Sequence, residues 1–146
     1  MSFGSELKAF AAKTGGKLED VAREVVLNVG RSVVEKSPVG DASYWKSPPP
    51  PGYVGGRFRA NWQHGFGLPA NGALDDIDAS GGASIAHIQS GVEGNPAAGI
   101  HFISNNLPYA QRLEDGYSSQ APQGMVSLTA IEFKEIVNIS VQKAKQ

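Results

Sequence analysis

Between Lys17 and Lys36 an apolar residue returns every three or four positions: Leu18, Val21, Ala22, Val25, Val29 and Val33. That period draws one apolar stripe along a helix, and the rest of the chain must supply a surface to cover it. Glu19 and Asp20 fall in the first turn and Lys36 in the last, the order of charge that the helix dipole favours. Ser37-Pro38 ends the run, because the residue before a proline avoids helical backbone. Gly15-Gly16 sets off a shorter helical stretch around Glu6–Lys13.

A second long helix is expected from Ser127 to Ala144. Val126, Ala130, Phe133, Val137, Val141 and Ala144 make one stripe, which can pack on a sheet. Leu128, Ile131, Ile136 and Ile139 lie largely on the other side. A helix that is apolar on two sides is either deeply buried or shared with a neighbouring molecule.

The 18 glycines and 9 prolines concentrate between these helices, so the centre is expected to be rich in loops. Residues 38–56 form a Pro/Gly-rich loop in which Pro48–Pro51 favour a polyproline II path. Its aromatics, Tyr44, Trp45 and Tyr53, either hold the loop on the domain surface or bind a partner protein. From Arg57 to Gly67 the pattern alternates. Phe58, Ala60, Trp62, His64 and Phe66 share one face, and Arg57, Arg59, Asn61 and Gln63 the other, as in a half-buried strand. Leu68–Ala73 reads as a turn and Leu74–Ala79 as a second strand. Ser80–Val92 reads as a short helix capped by Ser80, with Ile85, Ile88 and Val92 buried. Gly94–Gly99 is a loop and Ile100–Ser104 a strand. Leu107–Glu114 is a short helix or turn stopped at Asp115-Gly116. The expected architecture is α+β: long N-terminal and C-terminal helices packed on a small, mainly antiparallel sheet, with a short inserted helix and the Pro-rich loop. At 146 residues this is one domain, 1–146.

Several chemistries are disfavoured. With no cysteine there is no disulfide, no thiolate nucleophile and no Cys-type zinc site. His64, His87 and His101 lack metal-ligand spacing, and no carboxylate is placed as a third ligand. The glycine pairs do not make a phosphate-binding loop, and no Gly-x-Ser-x-Gly elbow is present. No catalytic, metal or cofactor residue is therefore assigned. No apolar run approaches the length of a membrane span, and no secretory leader is read. The net charge of −1 argues against a dominant nucleic-acid role. Basic residues lead in 41–70 (Lys46, Arg57, Arg59 against Asp41), and only acidic ones occur in 71–100 (Asp75, Asp76, Asp78, Glu93). These are either solvated loops or complementary faces of neighbouring subunits.

The stretch Ile103–Ile131 is dominated by steps that fix a backbone path: Asn105-Asn106, Leu107-Pro108, Asp115-Gly116, Ala121-Pro122 and Gln123-Gly124. Within it, Asn105–Met125 is expected to be an ordered docking loop. Tyr109 and Leu113 anchor it inward, and Glu114 accepts backbone or tyrosine hydrogen bonds near Gly116. Gln120 and Pro122 lie on the loop, and Ile131, Ile136 and Ile139 follow on the last helix. With Trp45 and Tyr53, these are the candidate interface residues.

Three segments carry a family resemblance. Pro38-Val39-Gly40 and then Gly56-Arg57-Phe58-Arg59-Ala60-Asn61-Trp62 resemble a Pro-Val and Gly-Arg-Leu-Arg-x-Ser/Asn-Trp pattern, here separated by Asp41–Gly55. Ala79–Gly91 resembles the helix before the second main strand. Ile103–Ala110, Leu113-Glu-Asp-Gly116 and Gln120–Val126 resemble the third block, with Asp115 where relatives often carry an aromatic residue. The pattern is similar to that of the tail-completion or minor tail proteins (lambda Z-like neck proteins) of long-tailed bacteriophages. The resemblance implies a virion structural protein of the head–tail junction, without catalysis or cofactor, assembled in the host bacterial cytoplasm. It implies a homo-oligomeric ring, usually sixfold. Its partners would be the tail terminator or tail tube and head-completion or connector proteins, with DNA only passing through the channel and no membrane. The competing reading is a small soluble enzyme or peptide-binding domain.

Overall fold

The computed structural model describes residues 5, 6, 8, 9, 12, 17–39, 48, 49, 51 and 55–145. Trp45, Tyr53, half of the Glu6–Lys13 stretch and most of the Pro-rich loop lie outside the described residues. The order is α1 (Leu18–Lys36), α2 (Arg57–Ala60), β1 (Trp62–Phe66), α3 (Gly82–Glu93), β2 (His101–Asn105), α4 (Ala110–Glu114), α5 (Val126–Ile131) and α6 (Phe133–Ala144). The fold is α+β.

Helix α1 is the central element, and it buries two faces rather than one stripe. Val21 and Val25 pack with Val137 and Val141 of α6, flanked by Ala22, Val29, Phe133 and Ala144. Leu27, Val33 and Val34 join Phe58, Trp62, Ile88, Val92, Leu107, Ala121 and Met125 in the larger core. Leu18, expected inside, is 43% exposed. The C-terminal helices therefore rest on α1, while the sheet is reached from α1 through α3. A polar row runs beside the α1–α6 contact. Asn28 donates to the Ser140 hydroxyl at 3.1 Å, and the Ser32 and Thr129 hydroxyls share a hydrogen bond of 2.8 Å. Lys36 meets Glu132 at 2.7 Å.

Strands β1 and β2 pair antiparallel, Trp62 opposite Asn105 and Phe66 opposite His101. The strand expected from Arg57 starts only at Trp62, because Arg57–Ala60 is one helical turn. Gly56 starts that turn at φ 113°, and a Cβ there would lie 2.5 Å from the Ala79 nitrogen. The turn aims the Arg59 guanidinium at three carbonyls: Ser37 (2.9 Å), Glu35 (3.1 Å) and Ala79 (2.8 Å). Two of these end α1, where a cation suits the helix dipole. Trp62 Nε1 donates to Ser37 Oγ at 2.7 Å, and that hydroxyl donates to the Val33 carbonyl at 2.6 Å.

No strand forms at Leu74–Ala79. Amide side chains hold this part of the chain instead. Fully buried Asn61 donates to the Leu74 carbonyl (3.1 Å) and accepts from the Leu74 N–H (2.7 Å). Gln63 donates to the Gly72 carbonyl at 2.9 Å, and Asn106 to the Ala70 carbonyl at 2.8 Å. A neighbouring strand is replaced by side-chain amides, which satisfy backbone groups equally well.

Helix α3 starts at Gly82 rather than Ser80, and Ser80 still accepts the Gly82 N–H at 3.2 Å. Asp78 takes the Ser84 N–H at 3.0 Å. The expected C-terminal helix is two helices that break at Glu132, without a glycine or proline. The break turns Val126 and Ala130 to solvent, so the stripe read through 126–144 is not one face.

Trp62, 5% exposed, tests the clamp at the end of α1. Trp62→Ala should cost about 3–5 kcal/mol by lost packing. Trp62→Phe should cost about 1–3 kcal/mol, mainly through the hydrogen bond that the Ser37 hydroxyl oxygen no longer accepts. Urea unfolding midpoints of the two variants measure both.

Candidate docking surface

The segment after β2 is pinned at both ends. Asn105 donates to the Phe58 carbonyl at 2.9 Å, and Leu107 plugs the core at 3% exposure. Tyr109 lies with its ring 6.1 Å from that of Phe58 but remains 38% exposed. Leu113 is half-buried against the core. Helix α4 ends at Asp115, and Gly116 turns the chain with positive φ. Beyond it Tyr117 stands 74% exposed, with the Arg112 guanidinium 5.2 Å above its ring. Ala121 and Met125 return the loop to the core. Gln120 accepts the Val39 N–H at 3.0 Å and ties the loop to the exit of α1, while Pro122 is exposed.

Glu114 organises this loop. Its carboxylate accepts from the N–H groups of Met125 (3.0 Å), Val126 (2.9 Å) and Ser127 (3.0 Å), and from the Ser127 hydroxyl (2.8 Å). These N–H groups open α5 and have no partner within it. A side chain from α4 thus caps a helix that starts twelve residues later. Burial pushes the Glu114 carboxyl up, but the N–H groups of Val126, Ser127 and Met125 and the Ser127 hydroxyl hold it below its ordinary value. The sequence points to Glu114 as an acceptor of backbone hydrogen bonds, and the structure supplies the donors, which open a helix that begins after the loop.

The two-sided last helix is corrected in part. Ile136 is buried at 7% and belongs to the core, and Leu128 is half-buried. Ile131 (78% exposed) and Ile139 (52%) remain outside, with Val126 nearby in sequence. Further exposed apolar residues, not foreseen, lie at the end of the sheet: Phe66, Leu68 and Ile100, where the Gly67 N–H bonds the Ile100 carbonyl at 2.9 Å. No periodicity marks this end, since it arises from strand pairing.

The charged runs are partly spent within the chain. Arg59 is held by carbonyls, Asp78 caps α3, and Arg57 lies 3.6 Å from Asp75. Asp41 and Lys46 lie outside the described residues. His64 and His101, unpaired by sequence spacing, meet across the sheet at 2.9 Å. Among the described residues no group of three His, Asp or Glu side chains is placed to hold a metal. A cavity of about 280 Å³ lies between the end of α1 and the 120–124 loop, lined by Lys36, Arg59, Gln120, Gln123 and Leu128. The Lys36 and Arg59 head groups there are already engaged. No described helix is long and apolar enough to cross a membrane. Comparison with protein-family models, curated proteins and solved structures finds no match to this chain.

Glu114 has a depressed folded-state pKa, so its contribution is present above the unfolded value and is lost as pH falls through the folded one. At pH 7, Glu114→Gln should lower stability by about 1–2 kcal/mol, discounted for partial exposure. The gap between the two urea midpoints should close in acid, once the wild-type carboxyl is protonated.

Proposed function

We propose that this chain is a structural subunit of a bacteriophage neck or tail end, required for tail completion and head–tail joining. It acts without catalysis, as a ring of identical copies in contact with tail and head-completion proteins. The ring and its sixfold count come from the resemblance of the Gly56–Trp62, Ala79–Gly91 and Ile103–Val126 segments.

One observation supports the reading most. The described chain exposes large apolar side chains in different places, among them Ile131 and Ile139 on the C-terminal helices and Phe66, Leu68 and Ile100 at the sheet end. A closed ring of identical subunits needs a head-to-tail contact between two different surfaces of the same chain. Exposed branched aliphatics gain about 25 cal/mol per Å² when covered. The polar groups of the motif segments meanwhile hold backbone in place. Arg59, Asn61, Trp62 and Glu114 all bind groups of their own chain.

Ile131→Asp and Ile139→Asp should leave a folded chain, because both positions are open to water and surface changes cost about 0.5 kcal/mol or less. Each should abolish ring formation, read by light scattering and negative-stain images of the chain with its tail partners. Each should also fail to restore infectious particles to a phage lacking the gene. Intact rings and normal particle yield would move the contact away from α5–α6. Turnover of an ester, phosphate or glycan by the wild-type chain would overturn the structural reading altogether.

A further inference from the structure

The His64–His101 pair has a proton arrangement that the surrounding atoms dictate. The outer end of the relay is His101 Nε2, 3.0 Å from the Pro96 carbonyl oxygen. A carbonyl can only accept, so His101 Nε2 carries a hydrogen and its Nδ1 carries a lone pair. That lone pair faces His64 Nε2 at 2.9 Å, so His64 Nε2 carries the second hydrogen. His64 Nδ1 is left bare. It abuts Gly91 of α3, where a Cβ would collide with the ring at that nitrogen.

A third proton has one destination that preserves both hydrogen bonds. The gap between the rings holds one hydrogen, whichever ring owns it, and the Pro96 carbonyl takes another. Charging either imidazole therefore places a hydrogen on His64 Nδ1, on the side of the ring packed against the Gly91 backbone. A positive charge on a partly desolvated ring packed this closely is unfavourable.

The surroundings offer the cation nothing. β1 and β2 carry no charged residue besides the two histidines, and residues 94–100 carry none. On α3 the titratable groups are His87, exposed, and Glu93, exposed and bonded to Gln89 at 3.0 Å. α1 meets α3 through Leu27 and Val34 against Ile88 and Val92, and its charged Asp20, Arg23 and Glu24 line a cavity with Gln89, Val92 and Glu93 of α3. The Phe66 ring lies edge-on to His101 at 5.0 Å. The 94–99 loop is tied to the same place, through Pro96 to His101 and through Asn95 to the Gly91 carbonyl at 2.7 Å.

We propose that the His64–His101 pair is an acid-sensitive latch on the seam between α3 and the sheet. Taking up a third proton loosens α3 and the 94–99 loop from β1 and β2, while α1 stays clasped to α6. The latch does not rest on the assembly reading above.

Burial first, and His101 second, lower the affinity of His64 for a proton. Its folded-state pKa thus lies below the unfolded value of about 6.5. Between the two values the unfolded chain binds more protons. The latch is therefore fully closed above about pH 6.5 and weakens as pH falls from there toward the folded-state value. Glu114 and Asp78 act in the lower, carboxylate range and are separable from it.

The test is a titration of the labelled wild-type chain from pH 7.5 to 4.5. The ring signals of His64 and His101 are followed by NMR, and backbone amides by hydrogen exchange corrected for intrinsic rate. Protection at 88–93 and 101–105 should fall by up to about tenfold per pH unit in the histidine range, the slope of one proton taken up on opening. Protection in α1 and α6 should hold. His64→Gln keeps an N–H donor for His101 but cannot titrate, so its slope should vanish, while His87→Gln should keep it. Two results would overturn the latch: His64 charged at Nδ1 with protection unchanged, or the same slope in His64→Gln. Should that variant fail to fold, the wild-type titration alone decides.

Discussion

Everything in this molecule hangs from the carboxyl end of α1. A helix end leaves carbonyls without partners, and here two of the groups at that end are taken by one guanidinium. Arg59 bonds the Glu35 and Ser37 carbonyls, and its third bond reaches Ala79. Trp62 closes the same knot through the Ser37 hydroxyl. One side chain thus fixes the spacing between the first helix, the start of the sheet and the entrance to α3. A lysine could supply the charge but not the fork, because three separate carbonyls need a planar set of donors.

From that knot outward, polar side chains take over work usually left to secondary structure. Two strands alone make a marginal sheet. Asn61, Gln63 and Asn106 hold residues 70–74 beside it, giving the sheet a flank without a third strand. Glu114 does for α5 what a capping residue next to the helix would do, but from another helix. The result is a loop segment with a fixed shape and an apolar exterior on the helices that follow.

Legibility in the sequence followed the range of the forces involved. α1, α3 and β2 were readable because their periodicity and end signals are local. The alternation from Arg57 to Phe66 misled, since Phe58 and Ala60 point inward from a helical turn as well as from a strand. Only the reach of Arg59 to the end of α1 decides between them. Leu74–Ala79 was misread because its backbone partner is a side chain, Asn61, which leaves no mark on period. The break at Glu132 is unreadable for want of any helix breaker. Of the candidate interface, Ile131 and Ile139 proved exposed, and Ile136 fell inside once the break rotated the helix. The histidine pair was invisible because it depends on strand register, a long-range property.

The two faces of α1 are covered by parts of the chain made at different times. The larger core draws its buried members from residues 27–125, so it can close once the chain has reached Met125. The second cluster needs Val137 and Val141, and Asn28 must wait for Ser140, 112 residues away. Contacts so distant in sequence form late and slow the final step. Without α6, Val21 and Val25 lose the partners that cover them, while the members of the larger core on the other side of their own helix are all still present. A chain cut before α6 would thus carry a bare apolar face on its central helix, of the kind that invites association.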